Sequence, residues 1–473
     1  MIRDAIRITE DLPAARRTDQ TTAIINPRRG LSNPSGMGRF VPAWVWVALL
    51  ATGMAGCQSK PDKVTQWLGL NVQLVRPTAE SVNGAASRGP DRERTFGFLD
   101  ELGARLVRDA VMDWSVVQPA AGASYDFTLI DDIVTRAQVN EVDILAVCER
   151  FPAWASGGRV PAREHAPAFS AFVREFVERY DGDGKKDLPK LRVPITAYEF
   201  IRQPEDIAPA EYAYWLKVFY TSVKEAHPDA IVACGGLKSP GLKMFDAPGG
   251  DYHLYLEKLL AQPELQGDDY PYFDVVSFHN FPMAYPGRRE FDEALTYLRT
   301  AMSRHRLSLP IWLTAFGFDS GAREEATQAE NLVKWSVRAK ALGIERAYVC
   351  CLEDDRRPGE IGIGTNIGLI RHTPRGDGPT RKPAFHAFST LLRQLDTHPK
   401  VNLRGEGSYM LTGEGEPVFV VWRVETYDRR DTLIPGWWRI TLLSGRTMTR
   451  QGTEMKLTSS PMFVQKAQSP FLQ

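Results

Sequence analysis

Acidic side chains that directly follow buried, strand-like segments are the residues of this chain with the clearest potential for chemistry. A pair of carboxyl groups can act as acid and base when one member is protonated and the other ionised. Glu149 and Glu353 each close such a segment and form one candidate pair, or Glu149 instead pairs with Arg202 or Arg150. The alternative for these groups is a rim of salt bridges, because charged residues at a strand end need partners. Further acidic candidates of this kind are Asp109, Asp113, Glu199, Asp319, Asp354 and Asp355.

These acidic residues lie in a region, 67–392, that alternates strand-like and helix-like segments. Short runs rich in branched residues are separated by longer stretches with apolar residues at helical spacing, which predicts an α/β fold, a (β/α)8 TIM barrel. All strands of such a barrel end at one face, so the acidic residues are expected to meet there. The predicted strands are 69–75, 104–109, 143–150, 196–203, 230–236, 274–280, 311–316 and 346–353.

After His398 the pattern changes to shorter segments that alternate apolar and polar residues. They predict a small all-β C-terminal module with an antiparallel sheet, packed against the barrel because no low-complexity linker separates the two. The predicted strands of the module are 408–412, 417–424, 437–443, 455–457 and 462–465. The predicted organisation is a leader (1–57), a tether (58–66), the barrel (67–393) and the β module (394–473).

Composition and charge exclude several functions. The 58 basic residues equal the 58 acidic ones, so no net field favours nucleic acid, and no nucleic-acid partner is expected. No cluster of residues has the spacing of metal ligands, and no glycine pattern of a dinucleotide site is present, so neither a metal nor a cofactor is predicted. The cysteines inside strand-like segments, predicted to be buried free thiols, are Cys148, Cys234, Cys350 and Cys351.

The N-terminal region resembles the signal peptide of a bacterial lipoprotein. The apolar run 41–55 is followed by Gly56 and Cys57, the pattern cut before a cysteine that is then lipidated, and Met37 would start a signal of ordinary length. A transmembrane anchor is the alternative, but the run is shorter than the roughly 20 residues that a bilayer requires. The resemblance implies a lipid anchor at Cys57 in the cell envelope. Because no Asp follows Cys57, it implies the outer membrane, facing the periplasm or the exterior.

Motifs along the barrel resemble those of clan A glycoside hydrolases, particularly the xylosidase/iduronidase-like and bacterial exopolysaccharide-hydrolase branches. The motifs are segments 106–109, 114–119, 125–127, 151–155, 274–282 and 382–388, and the β module ending in 460–464 is similar too. Their order and spacing make the resemblance specific. It implies a barrel that acts on O-glycosyl bonds, with a histidine and an aromatic residue of the sixth strand beside the sugar. Here these are His279 and Phe281.

At both positions where this resemblance implies a catalytic glutamate, the chain carries another residue. In the family the fourth strand ends in Trp-Asn-Glu-Pro, whose Glu is the general acid/base, and Gln203 stands there, preceded by Arg202. The seventh strand of the family carries Thr-Glu-Phe-Gly, whose Glu is the nucleophile, and Ala315 stands there. An amide cannot deliver a proton and a methyl group cannot attack a sugar. We therefore expect no retaining hydrolysis with these residues.

The sequence thus predicts a glycoside-hydrolase-like envelope lipoprotein that is catalytically degenerate. Its predicted ligand is a polysaccharide or oligosaccharide, or a partner protein, in exopolysaccharide or cell-wall metabolism. The positive charge of Arg202 favours an acidic sugar. His279 is predicted to bind a hydroxyl or act as a base, and Trp114 and Trp154 either to stack on sugar rings or to pack within loops.

The predicted ligand contacts are Trp114, Glu149, Trp154, Arg202, Gln203, His279 and Phe281. Two alternatives stay open. One is an active hydrolase or polysaccharide lyase that uses Glu149 and Glu353 as displaced carboxylates. The other is a scaffold whose mouth binds nothing.

Overall fold

A computed structural model describes residues 66–75, 91–238, 254–281, 288–321, 324–354, 366–371, 380–424, 432–454 and 457–468. The predicted signal segment, Met37, Cys57 and Asp355 lie outside these residues. Within them, no helix has the length and apolar character needed to cross a membrane.

The predicted strands of the barrel are all present, and they pair in parallel. The sheet runs in the order β5-β4-β3-β2-β1-β8-β7-β6. The strands are β1 (Leu68–Asn71), β2 (Leu106–Asp109), β3 (Asp143–Cys148), β4 (Ala197–Phe200), β5 (Ile231–Cys234), β6 (Val276–Asn280), β7 (Ile311–Phe316) and β8 (Arg346–Val349).

The barrel closes through β5, which is interrupted after Cys234. Before the interruption β5 pairs with β4, and Ala233 forms a parallel bridge to Val275. After it, the short strand Leu237–Lys238 pairs with β6. The predicted (β/α)8 barrel is therefore confirmed, and the carboxyl ends of its strands form one mouth.

Helices surround the sheet and bury one face against it. In the helix Ala166–Tyr180, for example, Phe169, Phe172, Val173 and Phe176 recur at steps of three and four and are fully buried. The helices are α1 (Arg92–Leu102), α2 (Trp114–Val117), α3 (Thr128–Val139), α4 (Ala166–Tyr180), α5 (Pro209–Ala226), α6 (Tyr255–Leu260), α7 (Arg288–Arg304), α8 (Glu325–Ala341) and α9 (Pro383–Thr397), with 3-10 turns at Arg163–His165, Pro204–Asp206 and Pro263–Leu265.

The inside of the barrel changes character from its base to its mouth. An apolar layer at the base is formed by one inward side chain from most strands: Leu106, Leu145, Ala197, Ala233, Val275, Trp312 and Tyr348. Because side chains alternate along a strand, the residues two positions further along β2 and β4 also point inward. These are Arg108 and Glu199, so the layer above the apolar plug is ionic.

The C-terminal module is an antiparallel sheet, as predicted, and its face with Tyr409, Leu411, Val420 and Phe463 shares the barrel's core. Its strands are β11 (Lys400–Gly405), β12 (Ser408–Thr412), β13 (Val418–Val421), β14 (Thr432–Leu442), β15 (Thr447–Glu454) and β16 (Met462–Ala467), in the order β11-β12-β13-β16-β14-β15. A separate hairpin pairs β9 (Ile370–Arg371) with β10 (Thr380–Arg381). The sequence patterns missed β11 and β15, the two edge strands.

Candidate functional site

The floor of the mouth is held by a buried ion pair between β2 and β4. Arg108 donates from Nε and Nη2 to the two carboxylate oxygens of Glu199, at 3.0 and 2.8 Å, and from Nη1 to Asn71 at 2.8 Å. Glu199 also accepts a bond from the backbone N–H of Gly236 at 3.0 Å. The carboxylate of Glu199, one of the acidic candidates in the sequence, is therefore bound by the barrel itself and has a structural role.

The chain turns sharply where β4 ends, because Ile201 and Gln203 both adopt left-handed backbone conformations, with φ of 58° and 53°. The backbone N–H of Gln203 donates to the carbonyl of Gly236 at 3.2 Å, which ties this turn to the interrupted fifth strand. The Gln203 amide nitrogen lies 3.0 Å from Nδ1 of His279. The structure thus brings together two of the predicted ligand contacts, Gln203 and His279.

His279 is a neutral imidazole in this setting. Its side chain is only 1% exposed. Burial, followed by the positive charges of Arg108 and Arg202, lowers the pKa of His279 well below its ordinary value. If the Gln203 amide donates to Nδ1, the ring proton lies on Nε2. Nε2 has no hydrogen-bond partner in the described part of the chain. It also packs so closely on Gly236 that a Cβ there would approach it to 2.1 Å, so position 236 requires glycine.

A bulge at the end of β7 sets the direction of Ala315. Phe278 pairs with Leu313, but the next residue of β6, His279, pairs with Ala315, so Thr314 is the extra residue. Such bulges re-aim the following side chain. Paired residues of parallel strands share a face, so Ala315 points to the same side as His279. It is 4% exposed and contributes a methyl group where the family resemblance implies a nucleophile.

The two displaced carboxylates of the alternative mechanism are both in ion pairs. The predicted pair of Glu149 with Arg202 is confirmed, with 3.4 Å between Oε2 and Nε, while Arg150 lies 3.9 Å from Asp113 instead. Glu353 lies 3.0 Å from Arg94. These contacts are the rim of salt bridges that was the alternative reading of both glutamates.

The two tryptophans lie in an aromatic cluster behind the mouth. Trp114 is fully buried, stacks on Phe172 at 5.6 Å and donates from Nε1 to Gln118 at 2.9 Å, so its prediction as a ligand contact is wrong. Trp114 is buried because it is the first residue of the short helix α2, which directs its side chain into the core. Trp154 is half-buried and packs edge-on against Trp114 at 5.0 Å. Phe281, also half-buried, lies 6.3 Å from His279 with its ring edge-on.

Two further carboxyl groups near the strand ends have unusual protonation. Burial raises the pKa of Asp109 to about 7, and its Oδ1 has no partner among the described residues. Asp109 points away from the barrel axis, because its neighbour Arg108 points inward. Burial likewise raises the pKa of Glu205 to about 7, although it accepts a bond from the N–H of Lys238. Sequence reasoning missed Glu205, whose only signal was its place two residues after Gln203.

One acidic group in the described residues is compact enough for a cation. Carboxylate oxygens of Glu178, Asp181 and Asp183 lie within 4.8 Å of one another. Glu178 lies in the last turn of α4 and Asp181 and Asp183 follow it, at the end of the barrel opposite the mouth. Acidic loops commonly have this spacing without an ion, so the absence of a metal site stays a prediction.

No protein-family model matches the chain, and no curated protein matches it significantly. Solved structures do resemble it. A family 39 glycoside hydrolase from Bacteroides cellulosilyticus is 18% identical, with 85% of this chain and 80% of that one covered and a TM-score of 0.61. A GH39 enzyme from Xanthomonas axonopodis pv. citri is 12% identical, with 87% of this chain and 96% of that one covered and a TM-score of 0.58. A family 51 α-L-arabinofuranosidase from Bifidobacterium longum is 12% identical, with 86% of this chain and 97% of that one covered and a TM-score of 0.55. At these identities the similarity shows the fold alone, a TIM barrel like that of these GH39 and GH51 structures.

Proposed function

We propose that this protein binds a polysaccharide or oligosaccharide at the mouth of its barrel and does not hydrolyse it by the retaining mechanism. The observation that carries the proposal is the pair of groups on either side of His279. Gln203 contacts its ring from β4, and Ala315 is its partner on β7. In a clan A enzyme these two strand ends supply the carboxyl groups, and here they supply an amide and a methyl group.

Retaining hydrolysis needs two carboxyl groups about 5 to 5.5 Å apart. Loss of a positioned acid alone lowers the rate by roughly 10²- to 10⁴-fold, equivalent to about 3 to 5 kcal/mol of barrier. Without a nucleophilic atom at position 315, the covalent intermediate cannot form there. The two changes therefore remove both halves of that mechanism.

The rim of the mouth, rather than its floor, supports ligand binding. Arg108, His279 and Ala315 are at most 5% exposed, so the floor is closed by its own side chains. Arg202 is exposed, while Gln203 and Phe281 are half-buried. A guanidinium, an amide and an aromatic ring are suited to sugar hydroxyls and to the apolar face of a sugar. A scaffold that binds nothing has no use for this combination.

The proposal includes the location. A lipid at Cys57 would hold the barrel at the outer membrane, where polysaccharides of the envelope are accessible. Incorporation of labelled palmitate tests this anchor, and Cys57→Ser should abolish both the label and the sedimentation with membranes. Label that persists in Cys57→Ser would contradict the anchor without affecting the proposed binding.

The test of the function is to measure reducing-end release and column retention in parallel. The purified protein is incubated for long periods with neutral and acidic polysaccharides and is also applied to columns of the same glycans. We expect retention on at least one column and no release. Release that Gln203→Ala abolishes would overturn the proposal. Release abolished by Glu149→Gln or Glu353→Gln would establish the hydrolase or lyase alternative instead.

A further inference from the structure

We propose that Arg202 makes the mouth selective for glycans that carry an anionic substituent, namely the carboxylate of a uronic acid or a sulfate ester. This inference rests on the proposed function, because it names the class of glycan that the same site takes. It is carried by the position of Arg202, by its unused hydrogen-bond donors and by its contrast with the other arginines nearby.

Arg202 lies between the two residues with left-handed backbone at the end of β4, Ile201 and Gln203. Its side chain is 53% exposed, whereas Gln203, the next residue, is tied to His279. A ligand that contacts the Gln203 amide would therefore have the guanidinium of Arg202 beside it. The charge of Arg202 also reaches the floor, because it contributes to the lowered pKa of His279.

The guanidinium of Arg202 has donors to spare. Its Nε lies 3.4 Å from Glu149, and in the described part of the chain no other hydrogen bond or ion pair involves the group. No described residue thus uses the two terminal amino groups. A planar guanidinium binds a carboxylate or a sulfate through two parallel hydrogen bonds, which makes the contact both strong and directional.

The neighbouring arginines are committed to the protein. Arg159 donates from Nη2 to the backbone carbonyls of Arg202 and Gln203, at 2.8 and 3.1 Å, and its Nε lies 3.2 Å from Asp206. Arg108 is buried against Glu199. Arg159 and Arg108 therefore support the turn and the floor. Arg150, after β3, lies 3.9 Å from Asp113, and Arg202 is the most exposed of these four arginines and adjoins Gln203.

Glu149 provides a test of the inference, because substitutions of Glu149 and of Arg202 should change the affinity for an anionic glycan in opposite directions. Its side chain is only 11% exposed, and its carboxylate would repel a bound anion while competing for Arg202. Removal of the Glu149 charge should therefore strengthen the binding of an anionic glycan, whereas removal of the Arg202 charge should weaken it. A merely structural ion pair predicts that both changes act in the same direction.

The experiment measures dissociation constants of the full-length protein for polygalacturonate, alginate and hyaluronan, for carboxyl-reduced forms of the same polymers, and for dextran and dextran sulfate. Arg202→Gln and Glu149→Gln are compared with a control, Arg174→Gln. Like Arg202→Gln, the control removes an arginine charge, but from an exposed pair between Arg174 on α4 and Glu225 on α5, outside the mouth. Thermal melting of each variant verifies folding. Arg202→Lys keeps the positive charge but removes the planar guanidinium that can make two parallel hydrogen bonds.

We expect the wild-type protein to bind at least one polyuronate or dextran sulfate at least tenfold more tightly than its neutral counterpart. Arg202→Gln should weaken anionic binding far more than neutral binding and so remove this preference, and Arg202→Lys should retain part of it. Glu149→Gln should strengthen anionic binding several-fold, and Arg174→Gln should change nothing. Preference for a polyuronate identifies a carboxylate as the substituent, and preference for dextran sulfate identifies a sulfate.

Equal affinity for each anionic polymer and its neutral counterpart would overturn the inference and leave the proposed function intact. The same holds for an Arg202→Gln variant that loses neutral and anionic glycans alike, or for a Glu149→Gln variant that also weakens binding. No measurable affinity for any glycan in this set or on the columns would overturn the proposed function itself.

Discussion

The ends of β4 and β7 differ in how firmly their polar groups are bound to the barrel. On β4, Glu199 is held by Arg108 and Gly236, and Gln203 is held by His279. On β7, Ala315 has no polar group, and Oγ1 of Thr314 has no partner among the described residues. The side chains of Glu199 and Gln203 on the β4 side are thus bonded to the protein, whereas no side-chain hydrogen bond holds the residues at the end of β7 among those described. A polar residue on β4 is therefore evidence of structure first, and only a group on β7 would be evidence of nucleophilic chemistry.

The largest effect that tests this comparison is on stability. Arg108→Met leaves the fully buried carboxylate of Glu199 without its ion-pair partner. A broken buried ion pair typically costs about 3 to 5 kcal/mol, while replacement of both partners by apolar residues is close to neutral. We expect chemical denaturation to show a loss of this size for Arg108→Met and a smaller loss for Arg108→Met/Glu199→Leu. A double variant as unstable as the sum of its parts would show that the two residues do not act as a pair.

The next effect separates Gln203 from Ala315 directly. Gln203→Ala removes the hydrogen bond to Nδ1 of His279 and leaves both ring nitrogens unpaired, so we expect a loss of about 1 to 3 kcal/mol in the free energy of unfolding. Ala315→Gly is the matched change on β7. It removes only a methyl group, for which about 0.5 to 1 kcal/mol is expected from backbone entropy. Equal losses would contradict the claim that only β4 carries a structural polar contact.

His279, between the two strand ends, makes the stability of the protein depend on pH. Its pKa in the folded state is well below the value of about 6.5 in the unfolded chain. Below about pH 6.5 the His279 of the unfolded state therefore binds a proton that the His279 of the folded state does not, and the contribution of His279 to stability falls as the pH falls. The slope is at most about 1.4 kcal/mol per pH unit for one proton. Asp109 and Glu205, whose pKa values are raised to about 7, titrate with the opposite sign in the same range, so the His279 contribution is read from the difference between the wild type and His279→Gln. Between pH 7 and pH 5, stability should change in a less favourable direction in the wild type than in His279→Gln. An unchanged slope would place the titrating group elsewhere.

The same mouth shows what could be predicted from the sequence. Every barrel strand was predicted, because a buried strand in a parallel barrel produces a continuous apolar run. The pair of Glu149 with Arg202 was also predicted as one alternative, since both residues follow neighbouring strands. The strand predictions rest on patterns that repeat over several residues, and the pair rests on the order of the strands.

The sequence patterns could not predict the direction of individual side chains or the position of a bulge. The position of Trp114 after a strand does not reveal that α2 turns it into the core, and the bulge at Thr314 leaves no mark in a run of six buried residues. The edge strands β11 and β15 were missed because edge positions favour polar residues, which blurs the alternation that identifies a strand. Their sequences, KVNLRG and TMTRQGTE, show this polarity.

The smallest expected effect concerns Glu353, the displaced carboxylate that follows β8. Its pair with Arg94 is partly exposed, at 24% and 42% for the two side chains, and such pairs contribute about 0 to 1 kcal/mol. Glu353→Gln should therefore leave the melting temperature and glycan retention nearly unchanged, whereas Glu149→Gln should alter retention because Glu149 contacts Arg202. If Glu353→Gln changes glycan binding as strongly as Glu149→Gln does, the binding site extends to the strand end of β8. The residues that determine glycan binding would then lie at the ends of β3 and β8 rather than at the ends of β4 and β7.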